Sequence, residues 1–230
     1  MTEALFDRHR VIDIDTHVTE PPNLWIDRIS KKWGDQVPHV KRVDGLDIWF
    51  IGDQTAGLPG AYSHAGHDDY YPNFRKTFED IPSSMYDSVA RLKWMDEEKL
   101  YANVMYPNVG GFGAGSFLKI KDRKLTLECL RAYNDWLYEW CSIDSNRLVP
   151  VAAMPFWDLN QTVQEVTRVA KMGYRAILFC NQPQDHGMPT IRDEFWDPVW
   201  ATAQEAGLSV NFHIGGGDLS DLLNDQANIG

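Results

Sequence analysis

Short apolar runs that end in polar residues open the chain and recur through its second half. They are Val11 to His17 (VIDIDTH), Tyr101 to Pro107 (YANVMYP), Leu148 to Pro155 (LVPVAAMP), Arg175 to Cys180 (RAILFC) and Leu208 to Ile214 (LSVNFHI). Each is brief and rich in β-branched or aromatic residues, as expected of strands buried on both faces of a parallel sheet. Between them the apolar period lengthens to three and four. Over 125–141, Leu130, Tyr133, Leu137 and Trp140 share one helical face. Asn160 is placed to cap a helix carrying Val163, Val166 and Ala170, with Gly173 as its stop. Pro198 begins another helix and Gly207 ends it. The stretch 84–100 is also predicted helical, with Val89, Leu92, Trp94 and Met95 inward. From residue 84 on, strands and helices alternate, which predicts βα units with right-handed crossovers.

Residues 21–82 break that rhythm and read as an insertion after the first strand, within a single domain spanning 1–230. HVKRVDGLDIWFIGD predicts a hairpin turning at Asp44-Gly45, and AGLPGAYSHAGHDDYYPN has loop composition. Long loops at the C-terminal ends of parallel strands commonly cover active sites. The fold class expected is α/β with five βα strands, and five do not close a barrel.

Composition narrows the function classes. The formal net charge is −11 with no Lys/Arg cluster, which argues against nucleic acid or an anionic membrane as partner. No apolar run approaches the roughly 20 residues needed to span a bilayer. The opening MTEALFDRHR is polar, unlike a signal peptide. Cys129, Cys141 and Cys180 lack metal-type spacing and are expected to be reduced, buried thiols of a cytoplasmic protein.

Two constellations carry candidate chemistry. In Asp15-x-His17 a carboxylate and an imidazole project together from the end of a strand, since residues two apart share a side. Those groups suit zinc or another divalent metal. The alternative is a turn-capping Asp beside a hydrogen-bonded His. His213 stands at the end of the last strand, followed by Gly215-Gly216-Gly217-Asp218. Because C-terminal strand ends converge on one face, a second strand-terminal His favours a shared site.

Here the chain resembles the amidohydrolase superfamily, in the branch of aminocarboxymuconate-semialdehyde decarboxylase and the related benzoate and resorcylate decarboxylases. The pieces that carry the likeness are VIDIDTHVTEP, RLKWMDEEKLYANVMYPN, AYNDWLYEWCSIDSNRLVPVAAMPFWDL, MGYRAILFC and FWDPVWATAQEAGLSVNFHIGGG, in order along most of the chain. The resemblance implies a distorted (β/α)8 TIM barrel of which about the first five βα units are present. It implies one divalent metal ion, zinc with manganese as the alternative, held by Asp15, His17 and His213. It implies a small carboxylated substrate and a homodimer. The family's acid/base His after strand 6 and Asp after strand 8 would fall beyond Gly230, so the catalytic acid/base is unassigned. The expected function is a metal-dependent decarboxylase of an aromatic or unsaturated acid. A hydrolase of a C–N or C–O bond, an inactive truncated fragment and a non-catalytic binding protein are the alternatives.

Other polar residues are weighed beside these. Glu20 can reach the metal or a substrate group, or lie at the rim, and the rim is the preferred expectation. Asp13 shares the Asp15 and His17 face one layer deeper and can hydrogen-bond a ligand. Asn108 and the glycines of NVGGFGAG follow strand 2 on the same rim, as substrate contacts or as a mobile loop. His64 and His67 have metal-pair spacing but sit in loop sequence, which favours solvation. Arg75, Tyr70 and Tyr71 can meet a substrate carboxylate or lie on the surface. His186 belongs to the loop after strand 4. Trp136, Trp140 and Trp200 are expected as outer-layer packing.

Overall fold

The computed structural model describes residues 9–60, 65 and 75–215. His64, His67, Tyr70, Tyr71 and the run Gly216-Gly217-Asp218 lie outside the described residues. Five parallel strands form the main sheet: β1 (Val11–His17), β5 (Leu100–Tyr106), β6 (Leu148–Ala153), β7 (Ala176–Leu178) and β8 (Ser209–Asn211). Their order in the sheet is their order in the chain, so each strand lays itself beside its predecessor. That succession curls a sheet toward a barrel, and what is described is the first part of one.

The helices between the strands follow from capping. Helix α2 (Ser88–Glu97) starts where the Asp87 side chain accepts the Ala90 N–H. Helix α3 (Arg123–Cys141) starts where Asp122 accepts the Lys124 and Leu125 N–H groups. Helix α4 (Leu159–Met172) is capped by Asp158, which accepts from Gln161, and not by Asn160. Gly173, at φ 107°, ends it in the left-handed conformation. Helix α5 (Asp197–Glu205) begins with Pro198 in its first turn, as expected.

Over 21–60 the insertion carries regular structure. Strands β2 (Pro38–Val43) and β3 (Leu46–Ile51) form the predicted hairpin, extended by β4 (Gln54–Thr55). Its turn places Asp44 at φ 49° and Gly45 at φ 78°, the two positive angles of a type I′ turn. A short helix α1 (Leu24–Arg28), not expected from the sequence, precedes it. Trp25 and Trp49, both essentially fully buried, meet edge to face at 5.5 Å. The Trp25 indole donates to the Cys129 carbonyl of α3 at 2.9 Å, which ties the insertion to the barrel layer.

Three sequence expectations are corrected. Helix α2 is shorter than 84–100, because 83–85 form a separate 3-10 turn. Its inward residues are Arg91 and Met95, while Val89 is exposed. Strand β1 is not buried on both faces: Ile12 is 52% and Ile14 70% exposed. Among the described residues β1 pairs only with β5, so one side of it has no neighbouring strand. Strand β8 ends at Asn211 rather than Ile214. The Phe179 N–H donates to the Asn211 carbonyl at 2.9 Å, and Gly215 at φ 81° turns the chain away. Trp136 and Trp140 are packed as expected, and all three cysteines are buried and outside any disulfide. Among the described residues no helix is long and apolar enough to cross a membrane.

Candidate metal centre

Strands β1 and β8 stand at opposite edges of the curled sheet, and their C-terminal ends meet. Asp15 and His17 come from β1, and His213 lies two residues beyond β8. One ligand atom from each falls within 4.8 Å of the others. His213 Nε2 is 3.0 Å from Asp15 Oδ1, and His17 Nε2 is 3.8 Å from the same oxygen. Tetrahedral ligands about 2.0–2.1 Å from zinc stand about 3.3 Å apart. The two spacings to Asp15 straddle that value and all three donor atoms lie within 4.8 Å of one another, so the donors suit a divalent ion that draws them together.

Each imidazole is oriented by its other nitrogen. His17 Nδ1 is 3.1 Å from the Pro107 carbonyl, and His213 Nδ1 is 2.6 Å from the Ile214 carbonyl. A carbonyl only accepts, so Nδ1 carries the proton in both rings; each Nε2 then faces Asp15, where a metal ion would sit between the ring's lone pair and the carboxylate. Burial, the largest effect, holds the His17 imidazole below its usual pKa, against the opposing Pro107 hydrogen bond. His17 is therefore predominantly neutral at pH 7, the form that binds metal. The Asp15 side chain is 62% exposed, which leaves one side of the cluster open.

Asp13 lies near the cluster, where its charge favours the protonated His17 imidazole. Its Oδ1 accepts the Asp15 backbone N–H at 3.1 Å, where the β1 register shifts between Asp13 and Thr16. It thus shapes the bulge that turns Asp15 and His17 toward the rim. Glu20 is not a rim residue. It is 1% exposed, and its Oε1 accepts the N–H groups of Asn108 at 2.9 Å and Val109 at 3.1 Å. Asn108 donates through Nδ2 to the Val18 carbonyl at 2.9 Å, so it joins two rims and does not face the cluster through that amide.

Burial raises the Glu20 carboxyl to about 7, against the lowering by its amide bonds. Between its ordinary value near 4.5 and about 7 the folded chain holds the proton more tightly than the unfolded chain. Stability is therefore greatest below the lower value, falls as pH rises to about 7, and is level above it. At about 1.4 kcal/mol per unit the step is about 3 kcal/mol. Denaturant midpoints at pH 5 and pH 8 should differ in that sense, and Glu20→Gln should remove this part of the difference. A Glu20→Gln profile identical to wild type would contradict the assignment.

Two residues at the site escape sequence reasoning. Phe112, from the Gly-rich loop after β5, places its ring 4.9 Å from the His17 ring and 4.3 Å from the His213 ring. Arg91 is fully buried, and its guanidinium donates to the His17 carbonyl at 3.0 Å and the Ser84 carbonyl at 2.5 Å. Desolvation lowers its pKa to about 10. Elsewhere, His186 is exposed beside Phe156 and holds no place in the cluster. Arg75 bridges to Gly60 through its backbone. A cleft of about 590 Å³ lined by Trp33, Lys41, Lys119 and Lys121 contains none of the three donors.

Comparison with known proteins places this arrangement. A family model described as amidohydrolase matches residues 114–228, half of the chain. No curated protein sequence matches. Among solved structures, an amidohydrolase from Mycobacterium avium subsp. paratuberculosis aligns with a TM-score of 0.70 at 22% identity, over 95% of this chain and 62% of that one. A 5-carboxyvanillate decarboxylase from Novosphingobium aromaticivorans, with bound manganese and 3-methoxy-4-hydroxy-5-nitrobenzoic acid, aligns at 0.57 and 14% identity, over 95% and 55%. A 2,6-dihydroxybenzoate decarboxylase from Rhizobium aligns at 0.50 and 18% identity, over 89% and 50%. At these identities the likeness is one of fold. The chain spans between half and about three-fifths of their lengths.

Proposed function

The chain belongs to the amidohydrolase family, and from that premise we propose that it carries the metal-binding half of a decarboxylase acting on a small carboxylated aromatic or unsaturated substrate. The observation that carries this reading is the convergence of Asp15, His17 and His213, 198 residues apart between first and last, on one open rim. Neighbours of the same fold are decarboxylases of hydroxylated benzoates, one of them holding manganese. Manganese and zinc are both compatible with two imidazoles and a carboxylate.

A bound divalent ion would supply Lewis acidity to the substrate's oxygens. The chain's own residues do the rest of what can be assigned to it. Asp15 contributes negative charge that offsets the ion, and the two imidazoles present Nε2 from rings locked by the Pro107 and Ile214 carbonyls. Phe112 and Tyr106 wall the cluster with aromatic surface, Tyr106 lying 5.4 Å from the His213 ring. A planar substrate ring would find stacking partners there, and its carboxylate would face the donors. Proton delivery to the carbon losing carbon dioxide is assigned to no residue of this chain.

Product analysis tests the proposal. With Mn2+ and 2,6-dihydroxybenzoate or a related hydroxylated benzoate as probes, release of carbon dioxide in step with substrate loss is expected. Cleavage of amide or ester probes without carbon dioxide release would favour a hydrolase instead.

A further inference from the structure

The chain segments that leave β1 and β5 are joined side by side. His17 Nδ1 meets the Pro107 carbonyl, Asn108 Nδ2 donates to the Val18 carbonyl, and Glu20 Oε1 accepts two consecutive amides, Asn108 and Val109. Glu20 is the expensive member of this set. It lines a small gap together with Trp49, Leu58 and Pro59, and its Oε2 has no hydrogen-bond partner among the described residues. A carboxylate half-satisfied in such surroundings costs stability. It is unlike the buried Glu165, whose two oxygens accept four hydrogen bonds.

What those two amides begin is the loop 108–115. The loop runs through Gly110, where a Cβ would come 2.7 Å from the Phe117 ring. It continues through Gly111, at φ +78°, where a Cβ would come 2.8 Å from Ser116 Oγ. These close approaches leave the loop little choice of path once its first residues are fixed. The next residue is Phe112, whose ring covers both histidines of the cluster.

We propose that Glu20 is a positioning residue for the donor cluster: by holding the Asn108 and Val109 amides it fixes the loop that sets the Phe112 ring against His17 and His213. Its consequence for metal binding rests on the reading given above, but its consequence for the loop does not. Two consecutive amides accepted by one buried oxygen suit a single side chain to anchor a glycine-rich segment, and the bonds gain charge assistance as Glu20 ionises. Groups that orient metal ligands from behind typically change affinity by 10–100-fold when removed.

The test uses NMR of the chain and Co2+ titration in parallel. Wild type should show a through-space contact between the Phe112 and His213 ring protons. Glu20→Met keeps the apolar volume but removes the acceptor. It should lose that contact and bind Co2+ roughly 10–100-fold more weakly. Glu20→Gln retains Oε1 as acceptor and should keep the contact, with affinity within about threefold of wild type. Phe112→Leu leaves Glu20 and its amides untouched, and should show the Co2+ loss and an altered cobalt absorption band. It decides the metal arm if the Met variant does not fold. The proposal is overturned if the ring contact survives in Glu20→Met, if the Gln variant is as impaired as the Met variant, or if Phe112→Leu binds Co2+ as wild type does. A wild type that takes up no Co2+ instead contradicts the metal reading, and the ring contact then decides the loop-fixing role by itself.

Discussion

Replacing His213 with alanine is expected to weaken divalent-metal binding by about a hundredfold or more. Structural zinc sites draw about 10–16 kcal/mol from four ligands, so one of them contributes about 3 kcal/mol, and about 1.4 kcal/mol is a factor of ten. His213 suits the test because its ring contacts are with Phe112, Tyr106 and His17 at the rim. Its removal leaves the strand ladders intact. Asp15→Asn should act in the same direction. With 62% of the Asp15 side chain in solvent, that loss would not reflect a damaged core. Competition against a chelating indicator measures both. Affinity unchanged from wild type in either variant would place the metal elsewhere.

Glu165→Ala is expected to cost about 3–5 kcal/mol of stability, the range for breaking a buried charge network by removing one partner. Glu165, on α4, has no exposed side-chain surface and faces α3. Its Oε1 accepts from Asn134 Nδ2 at 2.9 Å and Arg168 Nη2 at 2.6 Å, and its Oε2 from Arg131 Nε and Arg168 Nε, both at 2.9 Å. Burial pushes its pKa up, yet the two arginines and Asn134 outweigh burial and hold it below its usual value. Asn134 in turn brackets Ala153 at the end of β6, donating to its carbonyl and accepting its N–H. Removing the carboxylate therefore takes the acid from Arg131, leaves Arg168 with Asp135 alone, and loosens the link from α3 to the sheet. For a chain of this size the melting temperature should fall by about 10 °C. Glu165→Gln, which keeps an acceptor, should fall less. A loss under about 1 kcal/mol for the alanine variant would show that Arg131 and Arg168 find other partners or solvent.

The parts of the site visible in the sequence are those whose signal is local. Asp15-x-His17 and His213 end apolar runs, and parallel strands bring their ends to one rim whatever the intervening helices do. Asp44-Gly45 is legible because the two positive φ angles of its turn select those residue types. Glu20 reads as a rim residue because HVTEPP is polar on paper. Its burial is decided by two amides almost ninety positions away. Phe112 hides in a run of glycines, where the ordinary expectation is a mobile loop. Arg91 lies on a helix that reads as amphipathic through Val89, yet its guanidinium turns inward to the His17 carbonyl and Val89 turns outward. Helix α1 is too short for its apolar period to register. In each case a long-range partner, absent from the local pattern, overrides it.

The most direct test of the account is a crystal of the chain soaked with Mn2+ and measured at a wavelength where manganese scatters anomalously. The account predicts one strong peak within bonding distance, about 2.0–2.3 Å, of Asp15 Oδ1, His17 Nε2 and His213 Nε2 together. A fully soaked crystal with no peak there, or with its strongest peak away from all three, would contradict it.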